Sequence, residues 1–141
     1  MPILSDSDRQ QVQAMFSEMV NPVKLVFFTQ TIGCETCAPT KQILDELIPL
    51  SDKLSLEEVN YVLETERAAS YGVDHVPAIA MEGASDSRIR FYGIPSGYEF
   101  MSLLDAIMLV SSGEPGLSVA SQARLAKVEA PVAIQVFVTP T

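Results

Sequence analysis

Cys34 and Cys37 are the chain's two cysteines, and they stand three positions apart in Cys34-Glu35-Thr36-Cys37. Around a helix start, two thiols at that spacing can form and release one disulfide. A sulfur at the N-cap would have its thiolate stabilised by the unpaired N–H groups of the first turn and by the helix dipole. The chemistry on offer is thiol–disulfide exchange. Cys34 attacks an incoming disulfide, a mixed disulfide forms, and Cys37, expected one turn inside and more buried, resolves it. Two other readings of the pair stay open. It could be inert, or it could bind metal, although two Cys and one His fall short of four zinc ligands and would need help from another subunit. No metal is expected.

The linker residues modulate rather than react. A Glu35 carboxylate beside a thiolate disfavours the anion, unless it points into water, where it complements the positive helix end. Thr36 could donate a hydroxyl hydrogen bond to sulfur, or it is a plain surface threonine. Farther along, Val76-Pro77 opens a strand after a short helix. A cis peptide there would make a sharp turn and offer backbone groups to a substrate chain, with an ordinary trans proline as the alternative. His75, the one histidine, reads as an exposed loop residue, with proton transfer as its alternative role. Gly93-Ile94-Pro95-Ser96-Gly97 reads as a connecting turn, although a helix amino end behind it could hold a carboxylate.

The elements that must position these residues follow from periodicity. Residues 5–20 predict a helix capped by Ser5 or Asp6, with Val12, Met15, Phe16, Met19 and Val20 on one stripe. Val23–Thr29 is continuous, β-branched and aromatic, as a strand buried on both faces would be. A helix with Ile43, Leu44, Leu47 and Ile48 inside follows the cysteines, with Pro39 near its first turns. Leu54–Leu63 predicts a strand, Thr65–Tyr71 a short helix ended by Gly72, and Val76–Met81 with Arg88–Gly93 a hairpin. A helix after Gly97 and a shorter one capped by Ser118 complete the order. From Val23 this is β-α-β-α-β-β-α, an α/β chain with a mixed four-stranded sheet flanked by helices, plus an extra N-terminal helix. That arrangement is the thioredoxin fold.

The chain has 141 residues, 48% hydrophobic and 19% charged, which suits one domain with its own core and argues against disorder. With 18 acidic against 9 basic residues the net charge is −9, so binding to nucleic acid or to an anionic membrane surface is not expected. No stretch approaches the ~18–20 unbroken apolar residues of a membrane helix. MPILSDSD lacks the basic and apolar regions of a secretory leader, so a cytoplasmic location is expected, where a static structural bridge would be unusual.

One internal similarity stands out. Asn21–Thr31 (NPVKLVFFTQT) resembles Ala130–Thr141 (APVAIQVFVTPT), with Pro22, Val23, Leu25 and Phe28 matching Pro131, Val132, Ile134 and Phe137 at one constant offset. The expected division is therefore a unit over 1–129, and over 130–141 the first strand of a second, truncated unit of the same kind. Residues 132–138 form a sticky edge that should dock on the domain's own sheet or support self-association.

CETCAPTKQILDEL, YGVDHVPAI and RFYGIPSGYEF together resemble the amino-terminal unit of the glutaredoxin-like protein disulfide oxidoreductases, which carry tandem thioredoxin folds. The resemblance implies Cys34 as nucleophile, Cys37 as resolving thiol and Pro77 as the cis proline, with Val76–Pro77 binding substrate. It also exposes a departure. Thioredoxins place a buried Asp shortly before the first Cys, where this chain has Phe28. Either Glu57 or Glu58 on the following strand takes the resolving proton in its place, or water does.

The expected activity is that of a protein disulfide oxidoreductase without a prosthetic cofactor, exchanging disulfides with protein substrates and recharged by a thioredoxin-reductase-type enzyme. The alternatives are a glutathione-dependent glutaredoxin, and a non-catalytic thioredoxin-fold scaffold paired with a missing catalytic half.

Overall fold

The computed structural model describes residues 1–139. Its ten elements run α1 (Asp6–Phe16), β1 (Val23–Thr29), α2 (Cys37–Leu47) with a 3-10 turn at Ile48–Leu50, β2 (Leu54–Asn60), α3 (Thr65–Ser70), β3 (Ala78–Glu82), β4 (Asp86–Tyr92), α4 (Tyr98–Ser112) and α5 (Val119–Leu125). The sheet order is β2-β1-β3-β4, with β1 and β2 parallel and the other two pairings antiparallel. This is the expected mixed sheet of the thioredoxin fold, with the extra helix α1 in front.

Strand β1 is central because its side chains suit burial on both faces. Val23, Leu25 and Phe27 point into one cluster with Val12 and Phe16 of α1, Ile43, Leu44 and Leu47 of α2, and Leu103, Leu104 and Ile107 of α4. Val26 and Phe28 point the other way, into a smaller cluster with Val59, Ala68, Val73, Ala78 and Ala80 under α3. Phe27, Leu25, Leu44 and Leu47 are wholly buried, and each such side chain contributes on the order of 1.5–3 kcal/mol. Three helices on one face and a short one on the other leave part of the second face polar. There Lys24 bridges Glu57 and Glu82 at 3.0 and 3.3 Å, and Arg67 pairs with Glu57.

Helix α1 is shorter than its stripe suggested. It stops at Phe16, held at its start by a reciprocal capping box between Ser5 and Asp8, and Met19 is buried from the loop that follows. The hairpin turn is tighter than expected, because β4 begins at Asp86, and a register shift lies between Ala80 and Glu82. Ser118 caps α5 through Ser121 N–H, as its sequence predicts, but α5 buries no residue.

The strand expected over 132–138 is not formed. Residues 131–139 lie in no helix or strand, and Ile134, Val136 and Phe137 are 85%, 80% and 88% exposed. Both edges of the sheet are set by β2 and β4, and an apolar run becomes a strand only where another edge takes its N–H and C=O groups. Pro140 and Thr141, the last residues of the expected second-unit strand, lie outside the described residues.

Candidate active site

Cys34 and Cys37 are joined in a disulfide, with Cα atoms 5.5 Å apart. The two sulfurs differ in access. Cys37, the first residue of α2, is 3% exposed, while Cys34 in the loop before it is half-buried. The N-cap is Thr36 rather than Cys34. The chain spends residues 35–36 on a turn, and Thr36 C=O then accepts from Thr40 N–H and, at 2.6 Å, from Thr40 Oγ1. Cys34 thus lies just ahead of the helix end. Pro39 stands in the first turn, where its missing N–H costs no helical bond.

A groove of about 470 Å³ opens beside the disulfide, lined by Gln30, Cys34, Cys37, Lys41, Glu58 and Glu64 among others. Lys41 follows Cys37 by one helical turn. Its ammonium lies 2.7 Å from both carboxylate oxygens of Asp45 and 3.7 Å from Glu58 Oε2. The hydrogen bonds that Lys41 donates to Asp45, reinforced by Glu58, hold Lys41 above its ordinary value and keep it cationic. Glu64 Oε2 accepts from Asn60 N–H at 2.8 Å, and Asn60 Oδ1 accepts from the N–H groups of Val62 and Leu63. The turn after β2 therefore has fixed backbone geometry at the groove's edge.

The Val76–Pro77 peptide is cis. Pro77 is buried, and its C=O accepts from Gly93 N–H at 2.9 Å.

No family model matches the chain. A probable thioredoxin of Methanothermobacter marburgensis is 33% identical over 87 residues, which span 60% of this chain and 96% of that protein. The chain belongs to the thioredoxin family. Among solved structures, a protein disulfide oxidoreductase from Aeropyrum pernix superposes with a TM-score of 0.81 at 29% identity, over 90% of this chain and 56% of that one. The N-terminal domain of an alkylhydroperoxide reductase from Enterococcus faecalis superposes with a TM-score of 0.78 at 28% identity, over 86% of this chain and 59% of that one. The chain thus spans a little over half the length of these two solved relatives.

As a member of the family of thioredoxin-like thiol–disulfide oxidoreductases, the protein carries its CxxC disulfide between Cys34 and Cys37. Glu35 is exposed, and Thr36 makes no side-chain cap bond. His75 is exposed, with Nδ1 2.6 Å from Asp74 Oδ1 and its ring against Tyr92. Phe28, at the position of the thioredoxin aspartate, is wholly buried and edge-on to Tyr71, with ring centroids 5.4 Å apart.

The two glutamates of β2 part company. Glu57 faces the α3 side, where the Lys24 hydrogen bond and then Arg67 hold its carboxyl below the usual range. Glu58 faces the groove. Sequence reasoning missed Lys41, Gln30, Asn60 and Glu64 as its lining. Lys41 was legible, since a residue one turn after Cys37 shares its helix face, whereas the other three arrive from loops whose course depends on the folded sheet.

Proposed function

We propose that this chain exchanges disulfides with protein substrates, with Cys34 as the attacking sulfur and Cys37 as the resolving one. The observation that carries the reading is the unequal access within one disulfide. An incoming thiolate or client sulfur meets Cys34 at the surface, while Cys37 lies behind it in the first turn of α2. A mixed disulfide therefore forms at Cys34 and collapses when Cys37 attacks the same sulfur, expelling the client as a thiol.

Val76–Pro77 is the client-presenting segment in this reading. Val76 makes no backbone hydrogen bond among the described residues, so its N–H and C=O are available to an extended chain lying beside the cysteines. Glu35, Thr36 and His75 act as modulators. The reducing equivalents come from a separate disulfide reductase of the thioredoxin-reductase type, a reading supported by the similarity to a domain of an alkylhydroperoxide reductase. The work suits the cytoplasm, where such dithiols are kept cycling, and no described helix is long and apolar enough to cross a membrane. Residues 130–141 would form the first strand of a further unit when a partner edge is supplied, a reading supported by their likeness to 21–31.

Reduction of insulin disulfides with dithiothreitol as the electron source tests the central claim. The wild-type chain should accelerate insulin precipitation, and Cys34→Ser should abolish the acceleration. Equal rates in the two proteins would remove the proposal.

A further inference from the structure

Collapse of a mixed disulfide at Cys34 requires the Cys37 thiol to lose its proton, and the reverse reaction requires a proton for Cys37 as it leaves. Cys37 is 3% exposed, so the exchange must run through whatever lines its one open side. Phe28 offers no acceptor there. Glu57 is turned to the opposite face of the sheet and is shared between Lys24 and Arg67.

Glu58 is placed differently. Alternation along β2 sends Leu54 and Leu56 towards the α1/α2/α4 core, and Glu58 continues that row to the strand's far end, in register with Phe27. It emerges beside α2, where it lines the same groove as Cys34 and Cys37. The groove's volume of about 470 Å³ has room for water between carboxylate and thiol, and one bridging water suffices for general-base transfer. The charged groups that share the groove with Glu58 are Lys41 from α2, which also carries Asp45, and Glu64 from the turn after β2. Asp45 is taken up by Lys41, and Glu64 accepts from Asn60 N–H. That leaves Glu58 as the lining carboxylate whose contact is the longest, the Lys41 ammonium at 3.7 Å, which holds it in place.

We infer that Glu58 is the proton acceptor for Cys37, working through groove water and positioned by Lys41. The inference rests on the reading of Cys37 as the resolving thiol. During resolution the Cys37 proton passes to the Glu58 carboxylate and the Cys37 sulfur bonds to Cys34 Sγ. The bond from Cys34 to the client breaks, and its electron pair leaves on the client sulfur, which takes up a proton. The dithiol is oxidised by two electrons and the client disulfide is reduced by two. In the reverse direction a reductase thiolate attacks Cys34, and Glu58 returns the proton to the departing Cys37.

Rapid mixing of the reduced protein with dithiobis(nitrobenzoate) reads the two steps separately. The first thionitrobenzoate anion marks attack by Cys34 and the second marks resolution by Cys37. In Glu58→Gln the first phase should match wild type, while the second slows about tenfold or more at about pH 6–7. The gap should narrow steadily as pH rises, because hydroxide increasingly replaces the carboxylate as base. Glu58→Asp should recover part of the lost rate, and it carries the same test should the amide variant fail to fold. Glu57→Gln should leave both phases unchanged. A second phase in Glu58→Gln equal to wild type at about pH 6, or a deficit that persists unchanged to high pH, overturns the inference. Absence of any first phase in the wild type would instead overturn the oxidoreductase reading beneath it.

Discussion

His75 lies flat against Tyr92, with ring centroids 4.0 Å apart and planes 16° from parallel. The stack joins β4 to the residue just before the cis Val76–Pro77 peptide. A second tie comes from Tyr61, whose hydroxyl donates to Asp74 C=O at 2.8 Å. Two aromatic side chains from different strand ends thus fix the segment that the proposed mechanism uses to present a client backbone. Burial, with the Asp74 carboxylate adding to it, raises the Tyr92 hydroxyl above its ordinary value, so this tyrosine stays neutral through the physiological range.

Loosening that segment should impair protein clients more than small disulfides. An aromatic stack contributes about 0.5–1.5 kcal/mol beyond its buried area, so Tyr92→Leu should raise KM for insulin about two- to tenfold. The second-order rate with dithiobis(nitrobenzoate), which needs only the sulfurs, should stay within about twofold of wild type. Equal losses with both substrates would show that Tyr92 acts on the cysteines and not on client docking.

Single cysteine variants should separate the two sulfurs. Cys37→Ser removes the resolving thiol, so a Cys34–client mixed disulfide should accumulate and be visible on a non-reducing gel. Cys34→Ser leaves a thiol at a site only 3% exposed, which should trap at least tenfold less client in the same time. Equal trapping by the two variants would contradict the assigned order of attack.

The polar sheet face makes acid stability predictable. The Lys24 hydrogen bond, with Arg67 adding to it, depresses the Glu57 carboxyl, and the Arg90 hydrogen bond does the same for Asp86. A carboxylate with a depressed folded value binds fewer protons folded than unfolded around its ordinary value. Its stabilisation is therefore complete above that value, 4.5 for Glu57 and 3.8 for Asp86, and is lost as pH falls through the folded value. Urea midpoints should be flat between about pH 7 and 5.5 and fall below about pH 4.5, with a shallower fall in Glu57→Gln. An unchanged acid slope in that variant would mean that the Lys24–Glu57–Arg67 group is only a surface cluster.

Local patterns and restrictive residue types are legible in the sequence, whereas strand register and loop course are set by long-range pairing. Val23–Thr29 declared itself as a central strand because apolar residues on both faces leave no other packing, and the Ser5 and Ser118 caps were local patterns. The cysteine pair was legible as a disulfide and Val76–Pro77 as a candidate cis peptide because their residue types are restrictive. The N-cap falls at Thr36, two residues past Cys34, and pattern does not specify this because the turn at Glu35-Thr36 depends on Thr40 reaching back to the Thr36 carbonyl. Glu57 and Glu58 could not be told apart until the register with β1 assigned each to a face. The apolar run at 132–138 has a strand's composition without an edge to pair with, and pattern alone cannot supply the partner.

Ser111 presents the sharpest stability test. It is wholly buried near the end of α4, and its Oγ accepts from Val20 N–H at 2.9 Å and Asn21 N–H at 3.2 Å while donating to Asn21 C=O at 2.8 Å. Asn21 Nδ2 donates to the Ser111 carbonyl at 2.8 Å. This exchange clamps the last long helix to the chain just before β1, the strand that leads into Cys34. Ser111→Ala keeps the volume but strips the hydroxyl from Val20 N–H and the Asn21 carbonyl, and buried groups left so cost about 1–3 kcal/mol. The urea midpoint should drop accordingly at unchanged m-value. Because the clamp lies at the opposite end of β1 from the disulfide, the reaction with dithiobis(nitrobenzoate) at 25 °C should be unaltered. An unfolding free energy within about 0.3 kcal/mol of wild type would mean that water replaces the hydroxyl and that the clamp does not hold α4 to the sheet.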